Sequence, residues 1–205
     1  VAHAQGEYEQ FAAQRRAADA ERRREHEAGA RRASLLWEKS DAADPHHPYL
    51  VAKHVKAHAL RQSGAALIVP LFDAFRQFWN VQRILPDGGK WFRKGRAGGL
   101  YSPIGDLTNP TQILLCEGWA TGATLHEASG HPVLCAMNAG NLLPVAKAAR
   151  TTWTGADLVI CADNDWKTEG NPGLTAATAA AKATGAHLAV PLFPEGTRGS
   201  DFNDL

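Results

Sequence analysis

Five carboxylates stand at the ends of apolar runs, or just beyond them, in the second half of the chain. Glu117 follows "ILLC", Asp163 and Asp165 lie in "ICADND", and Asp201 and Asp204 lie in "SDFNDL". A carboxylate at the tip of a buried strand is costly unless something there needs negative charge. Like charges brought together raise one another's pKa values unless a cation offsets them. Oxygen ligands with neither thiol nor imidazole suit Mg²⁺ or Mn²⁺. Singly, each residue has an ordinary explanation: a turn or cap for Glu117, a turn or helix N-cap for Asp163 and Asp165, plain solvation for Asp201 and Asp204. Their recurrence at corresponding strand ends is what points to metal chemistry.

A second set is cationic. "GGKWFRKGR" offers Lys90, Arg93, Lys94 and Arg96 with Trp91 and Phe92 interleaved. Cations for phosphate and aromatic faces for bases make a single-strand platform. The same stretch also reads as an exposed hairpin with solubility charges, its Trp91 and Phe92 turned into a core. "NAGN", Asn138 to Asn141, ends another apolar run; its small residues permit close backbone approach to a phosphate, or simply a tight strand-to-helix turn. His46 and His47 read as boundary residues.

The elements that must position these groups fall into three stretches. Residues 1–45 read as an N-terminal helical segment, proline-free over 7–39 and rich in Ala, Glu and Arg. Its apolar residues sit at its two ends, so its middle is expected in solvent. Interleaved Glu dilutes "RRREHEAGARR" as a nucleic-acid arm. Residues 46–108 read as a small α+β subdomain, a candidate template and nucleotide surface, with a short helix in "LVAKHVKAHAL" and an antiparallel hairpin at Asp87–Gly89. Residues 109–205 alternate strand and helix in units of roughly 20–30 residues, the βαβ signature of a parallel sheet. The strands there are "QILLCEG", "HPVLCAMN", "ADLVICADND" and "AHLAVPLF", apolar throughout as expected of strands covered on both faces. The expected fold class is therefore α/β. In such sheets ligands bind beyond the carboxyl ends of the strands, where the acids lie.

Composition narrows the field. The chain of 205 residues is 44% hydrophobic and 21% charged, an ordinary balance with length enough for a sizeable core. A net charge of +1 offers no global basic field, so any polyanion site must come from local clustering. Cys116, Cys135 and Cys161 form no CxxC pair and lie in apolar runs, which speaks for buried thiols in a reducing cytoplasm over a zinc ribbon or disulfides. No apolar stretch reaches the ~20 residues of a membrane span, and no signal peptide is visible. A start at Val1 and an end directly after "SDFNDL" suit a segment of something longer.

Glu-Gly at the first strand end, Asp-x-Asp at the third and a later Asp motif resemble the Toprim domain of bacterial primases, topoisomerases and certain nucleases and recombination proteins, over about Thr111 to Leu205. "EGWATG" is similar to the EGYATG-type motif of primases of conjugative plasmids and satellite phages. "HPYLVAKHVKAHALR", "LIVPLFD", "VQRILPDGGKWFRKG", "AMNAGNL" and "NPG" resemble flanking segments of that group. The resemblance implies that Glu117 is a general acid/base or metal ligand, that Asp163 and Asp165 are a metal pair, and that Asp201, with Asp204, supplies the later acidic motif. Thr121 stands where many cellular primases carry a further acid, and the spacer "WKTEGNPG" is longer than the compact DxDxxG form. Both departures leave the number and order of metal ions open.

The implied activity is DNA primase: metal-dependent nucleotidyl transfer from nucleoside triphosphates on a single-stranded DNA template, with a helicase or zinc-binding module outside this chain. A Toprim-type metal-dependent nuclease, or an inactive nucleic-acid-binding module, is the alternative. The stretch Lys90–Arg96 favours the first because it supplies a template surface, and the presence of Glu117, Asp163 and Asp165 argues against the last.

Overall fold

Alternation along "ALIVPLF" sends Leu67, Val69 and Leu71 to one face of a strand and Ala66 and Ile68 to the other, and all five are buried. A strand covered on both faces needs a layer on each side. In the computed structural model, which describes residues 2–194 and 199–205 (side chains from Glu7 onward, Glu9 excepted), those layers are a long helix and a second sheet.

The helix is α1, Ala2–Glu38. Its exposed stretch runs as far as Glu27, and Tyr8 and Phe11 are exposed as well. From Gly29 onward it lies on the first sheet, where Ala33 joins Ala66, Ile68 and Val81, with Leu36 and Trp37 packed against them. Gly29 meets the loop after the basic hairpin so closely that a Cβ there would come 2.9 Å from Gly95 Cα. Only glycine fits that crossing.

The first sheet is antiparallel, in the order β1-β2-β3-β4-β5. Its strands are β1 Asp41–Ala42, β2 Arg61–Ser63, β3 Ala66–Phe72, β4 Phe78–Ile84 and β5 Lys90–Phe92. The β4–β5 hairpin closes with Ile84 opposite Lys90, and Asp87 Oδ1 accepts the Gly89 N–H at 2.9 Å. The helix expected in "LVAKHVKAHAL" is shorter: α2 spans Pro48–Lys53. His54 ends it in the left-handed region, φ 52°, where its N–H closes onto the Leu50 and Val51 carbonyls. His47 is its N-cap, buried, with Nδ1 accepting the Tyr49 N–H at 3.2 Å and Nε2 3.0 Å from the Ala65 carbonyl.

The second sheet has the order β10-β9-β7-β8-β6. β7 Gln112–Cys116, β8 Val133–Cys135, β9 Asp157–Cys161 and β10 His187–Ala189 are mutually parallel, joined by helices α3 Trp119–Ser129, α4 Leu142–Thr152 and α5 Pro172–Thr184. β6, Ser102–Ile104, adds an antiparallel edge beside β8. Hydrogen bonding thus begins the second sheet ahead of residue 109, and β10 stops short of Pro191, which has no N–H to continue the ladder.

Leu67, Val69, Leu71 and Ile84 pack with Leu114, Cys116, Trp119 and Cys135, joining the two sheets through α3. A separate layer beneath α4 and α5 buries Leu115, Leu134, Val145, Ile160 and Ala177. Gly122 lets α3 lie flat on the sheet, since a Cβ there would stand 2.2 Å from Cys135 Sγ and 3.2 Å from Cys116 Sγ. Among the described residues no helix is long and apolar enough to cross a membrane.

Candidate active site

β7 sits at the centre of the second sheet with β8 on one side and β9 on the other, so the chain reverses its direction of winding there. Open α/β sheets bind ligands at that switch point, beyond the carboxyl ends of the two diverging strands. Glu117 follows β7 and Asp163 and Asp165 follow β9. The topology alone brings the three acids to one crevice.

Glu117 is held by the turn after β8. Its carbonyl accepts the Met137 N–H at 2.7 Å, and its carboxylate is offered the Ala139 N–H. Burial raises its pKa, the charges of Asp165 and Asp201 add to that, and the Ala139 N–H and the Lys90 ammonium oppose it. Asp163 is pushed further, to about 7, by burial first and then by Glu117, Asp201 and Asp165, with Lys90 again opposing. Its Oδ1 is buried without a hydrogen-bond partner. A buried carboxylate oxygen left unmatched beside like charges is what a cation site lacks only the cation to complete.

Asp165 is anchored by α5. Its Oδ2 accepts the Gly173 N–H at 3.2 Å, a favourable placement of negative charge at a helix N-terminus. Gly173 has no alternative, because a Cβ would stand 2.8 Å from Asp165 Oδ2 and 2.9 Å from the Asp163 carbonyl. Asn171 caps the same helix in the left-handed region, φ 41°, accepting the Leu174 N–H and donating to Asn164 Oδ1 at 2.8 Å. The intervening Asn164 donates its N–H to the Ser200 carbonyl at 2.6 Å, which draws in the segment bearing Asp201.

Among the described residues no three His, Cys, Asp or Glu side chains already stand close enough to hold an ion together. The expected carboxylates share one field without forming a closed cage. Unneutralised carboxylates repel, and Asp165 is drawn aside to the N-terminus of α5. The donor set fits a hard divalent cation that retains waters. Asp163 and Asp165, with Glu117, are the residues that could hold one.

The profile of the Toprim domain matches residues 112–205. This part of the chain is similar to the Toprim domain. Over 187 residues the chain is 35% identical to a protein named DNA primase TraC from Escherichia coli, covering 86% of this chain and 18% of that protein. A second E. coli protein of the same name is 36% identical over 157 residues, 71% of this chain and 11% of its own length. The chain therefore spans less than a fifth of these relatives. The primase fragment of the bacteriophage T7 primase-helicase protein superposes with a TM-score of 0.56 at 16% identity, covering 76% of this chain and 66% of that one. A chain from the T7 lagging-strand DNA polymerase complex with primase domains superposes at 0.53 and 13% identity, covering 78% and 83%. These two likenesses speak to the α/β fold, which is as expected.

Not every candidate meets the Toprim crevice. Asp204 is used elsewhere: its Oδ2 accepts the Ser200 N–H at 2.9 Å and its Oδ1 lies 4.0 Å from Lys53 Nζ. Asn141 is buried and fully bonded, donating to the Leu100 and Ala136 carbonyls at 2.6 and 2.8 Å and accepting the Gly99 N–H at 2.7 Å. Its side chain braces the loops around Gly99, Leu100 and Ala136. Asn138 is exposed beside Glu117's turn. Of the basic stretch, Lys90 reaches the field of Glu117 and Asp163. Arg96 is instead drawn to the buried Asp73 at 3.4 Å and lies over the Trp79 ring at 5.0 Å. Lys94 is exposed beside α1 with Glu25, His26 and Arg32, and Arg93 is half-buried. Trp91 is 40% exposed with the Arg83 guanidinium 5.5 Å from its ring, while Phe92 packs into the core.

Sequence reasoning missed Gly173, Asn164, Asn171 and Asn203. Asn203 Nδ2 donates to the Lys53 carbonyl at 2.8 Å and to Thr124 Oγ1 at 2.9 Å, tying the end of the Toprim domain to α2 and α3. "NPG" held a signal, since Asn-Pro-Gly at a helix start is an N-cap followed by an N1 proline. Asn203 gave none.

Proposed function

We propose that this chain carries the catalytic core of a DNA primase, joining nucleotides from nucleoside triphosphates on a single-stranded DNA template. The observation that carries the reading is the partnerless, buried Oδ1 of Asp163 among Glu117, Asp165 and Asp201 at the sheet's switch point. The similarity to proteins named DNA primase supports it. In the transfer, a 3′-hydroxyl oxygen bonds to the α-phosphorus, the bond to the β,γ-diphosphate breaks, and pyrophosphate leaves. When bound, Mg²⁺ or Mn²⁺ would supply neutralisation of the phosphate charge. Asp163 and Asp165 would hold that ion, and Asp201 would add negative charge to its surroundings. Glu117, with its raised pKa, is suited to take the proton of the attacking hydroxyl. Lys90 faces the same space as a counter-charge for phosphate. A helicase or zinc-binding module elsewhere in the full protein, and work in the cytoplasm, belong to the same proposal.

The test is labelled nucleotide incorporation on single-stranded circular DNA with Mg²⁺ or Mn²⁺. Short template-dependent products are expected from the wild type, falling at least about 100-fold in an Asp163→Asn/Asp165→Asn double variant. Metal-dependent shortening of the DNA with no synthesis on the same gel overturns the reading in favour of a nuclease.

A further inference from the structure

Directly after Asp165 the chain presents a tryptophan to solvent. Trp166 is 56% exposed, yet its indole is not loose. Its Nε1 donates to the Gly199 carbonyl at 3.3 Å. Its backbone N–H turns back onto the Asn164 carbonyl at 2.7 Å, and the next turn closes from the Thr168 N–H to the Asp165 carbonyl at 2.8 Å. Gly199 is fixed in its turn by the Phe193 ring, which leaves no room for a Cβ. Lys167 places its ammonium 4.8 Å from the indole centroid. Asp165, Trp166, Lys167, Thr168 and Ser200 line a hollow of about 270 Å³.

A large aromatic face left in water is unfavourable unless it meets a partner. Here the ring is oriented by its own N–H bond, lies one residue from a candidate metal ligand, and carries a cation over one face. That combination matches a planar, electron-rich ring joined to phosphate. We propose that Trp166 is a base-stacking platform for the nucleoside triphosphate, with Lys167 beside the phosphate end. The hollow is small and has Lys167 as the cation in its lining, which suits one nucleotide better than a polyanionic strand. This inference rests on the primase reading, because it needs the triphosphate at Asp163 and Asp165.

The test is calorimetric binding to the 205-residue chain in Mn²⁺, using ATP, inorganic tripolyphosphate and a deoxythymidine oligonucleotide. Both Trp166→Phe and Trp166→Leu lose the bond to Gly199, but only Phe keeps a ring. We expect Trp166→Leu to weaken ATP about 5- to 100-fold and Trp166→Phe by less than about 3-fold. Tripolyphosphate, which has no base, is expected to bind all three proteins equally. Equal loss of ATP in Leu and Phe variants, no loss in either, or equal loss of tripolyphosphate overturns the platform. A loss confined to the oligonucleotide overturns it too, assigning the ring to the template. If tripolyphosphate binds the wild type but ATP binds no tighter, the platform fails while the metal–phosphate site stands. Failure of both ligands to bind the wild type sinks the primase reading and this inference together.

Discussion

With its folded-state pKa at about 7 against 3.8 for the ordinary carboxyl, Asp163 opposes folding increasingly as pH rises between those values. The unfolded chain releases the proton first; above about 7 the folded protein carries the whole cost of a buried carboxylate. Asp163→Asn removes that cost. In EDTA the variant is expected to match the wild type near pH 4 and to melt higher at pH 8. The gain is on the order of 1–3 kcal/mol, or roughly 2–10 °C for a chain of this size. Adding Mn²⁺ should raise the wild type and leave the variant where it was, since an ion that binds only the folded state stabilises by mass action. Melting curves from pH 4 to 8 decide it: parallel profiles would show that Asp163 is not held in this field.

Two glycines set where the elements that carry the acids can lie. Gly173→Ala would drive a methyl into Asp165 Oδ2 and the Asp163 carbonyl. We expect a stability loss of about 1–3 kcal/mol and a larger proportional loss of Mn²⁺ affinity, measured by titration beside a melt. Gly122→Ala meets Cys135 Sγ, and the added Cys135→Ala should recover part of the loss, a non-additivity expected of touching residues. Additive losses in that pair would mean α3 adjusts by moving as a whole. These glycines also mark the limit of what the sequence makes legible. The strand–helix rhythm from Thr111 and the acids at the strand ends follow from local patterning, and patterning is read from neighbours. Asn141 bracing Leu100, Arg96 held by Asp73, and Asp204 beside Lys53 depend on partners 41, 23 and about 150 residues away. No periodicity reports such pairings. They are also why those three side chains, singled out by their place along the chain, meet partners elsewhere in the fold.

Across the whole molecule a net charge of +1 leaves DNA affinity to local cations, and the structure separates them. Arg93→Ala/Lys94→Ala should flatten the salt dependence of single-strand binding by roughly 1.4, about 0.7 for each lost phosphate contact. Arg96→Ala should leave that slope alone and cost about 1–3 kcal/mol of stability, because it strips the buried Asp73 of a counter-charge. Binding across a salt series, with a melt for each protein, separates the two roles; a flattened slope for Arg96→Ala would return it to the DNA surface. The bond from Asn164 to Ser200 and the two from Asn203 have a consequence in time as well. During synthesis Lys53 and Thr124, and then Asp163, emerge well before the segment that bears Asp201. Parallel strands with distant partners assemble slowly. Asp201 can therefore add its charge only after Glu117, Asp163 and Asp165 have emerged, and it is the docking of its segment that brings the field in the crevice to full strength.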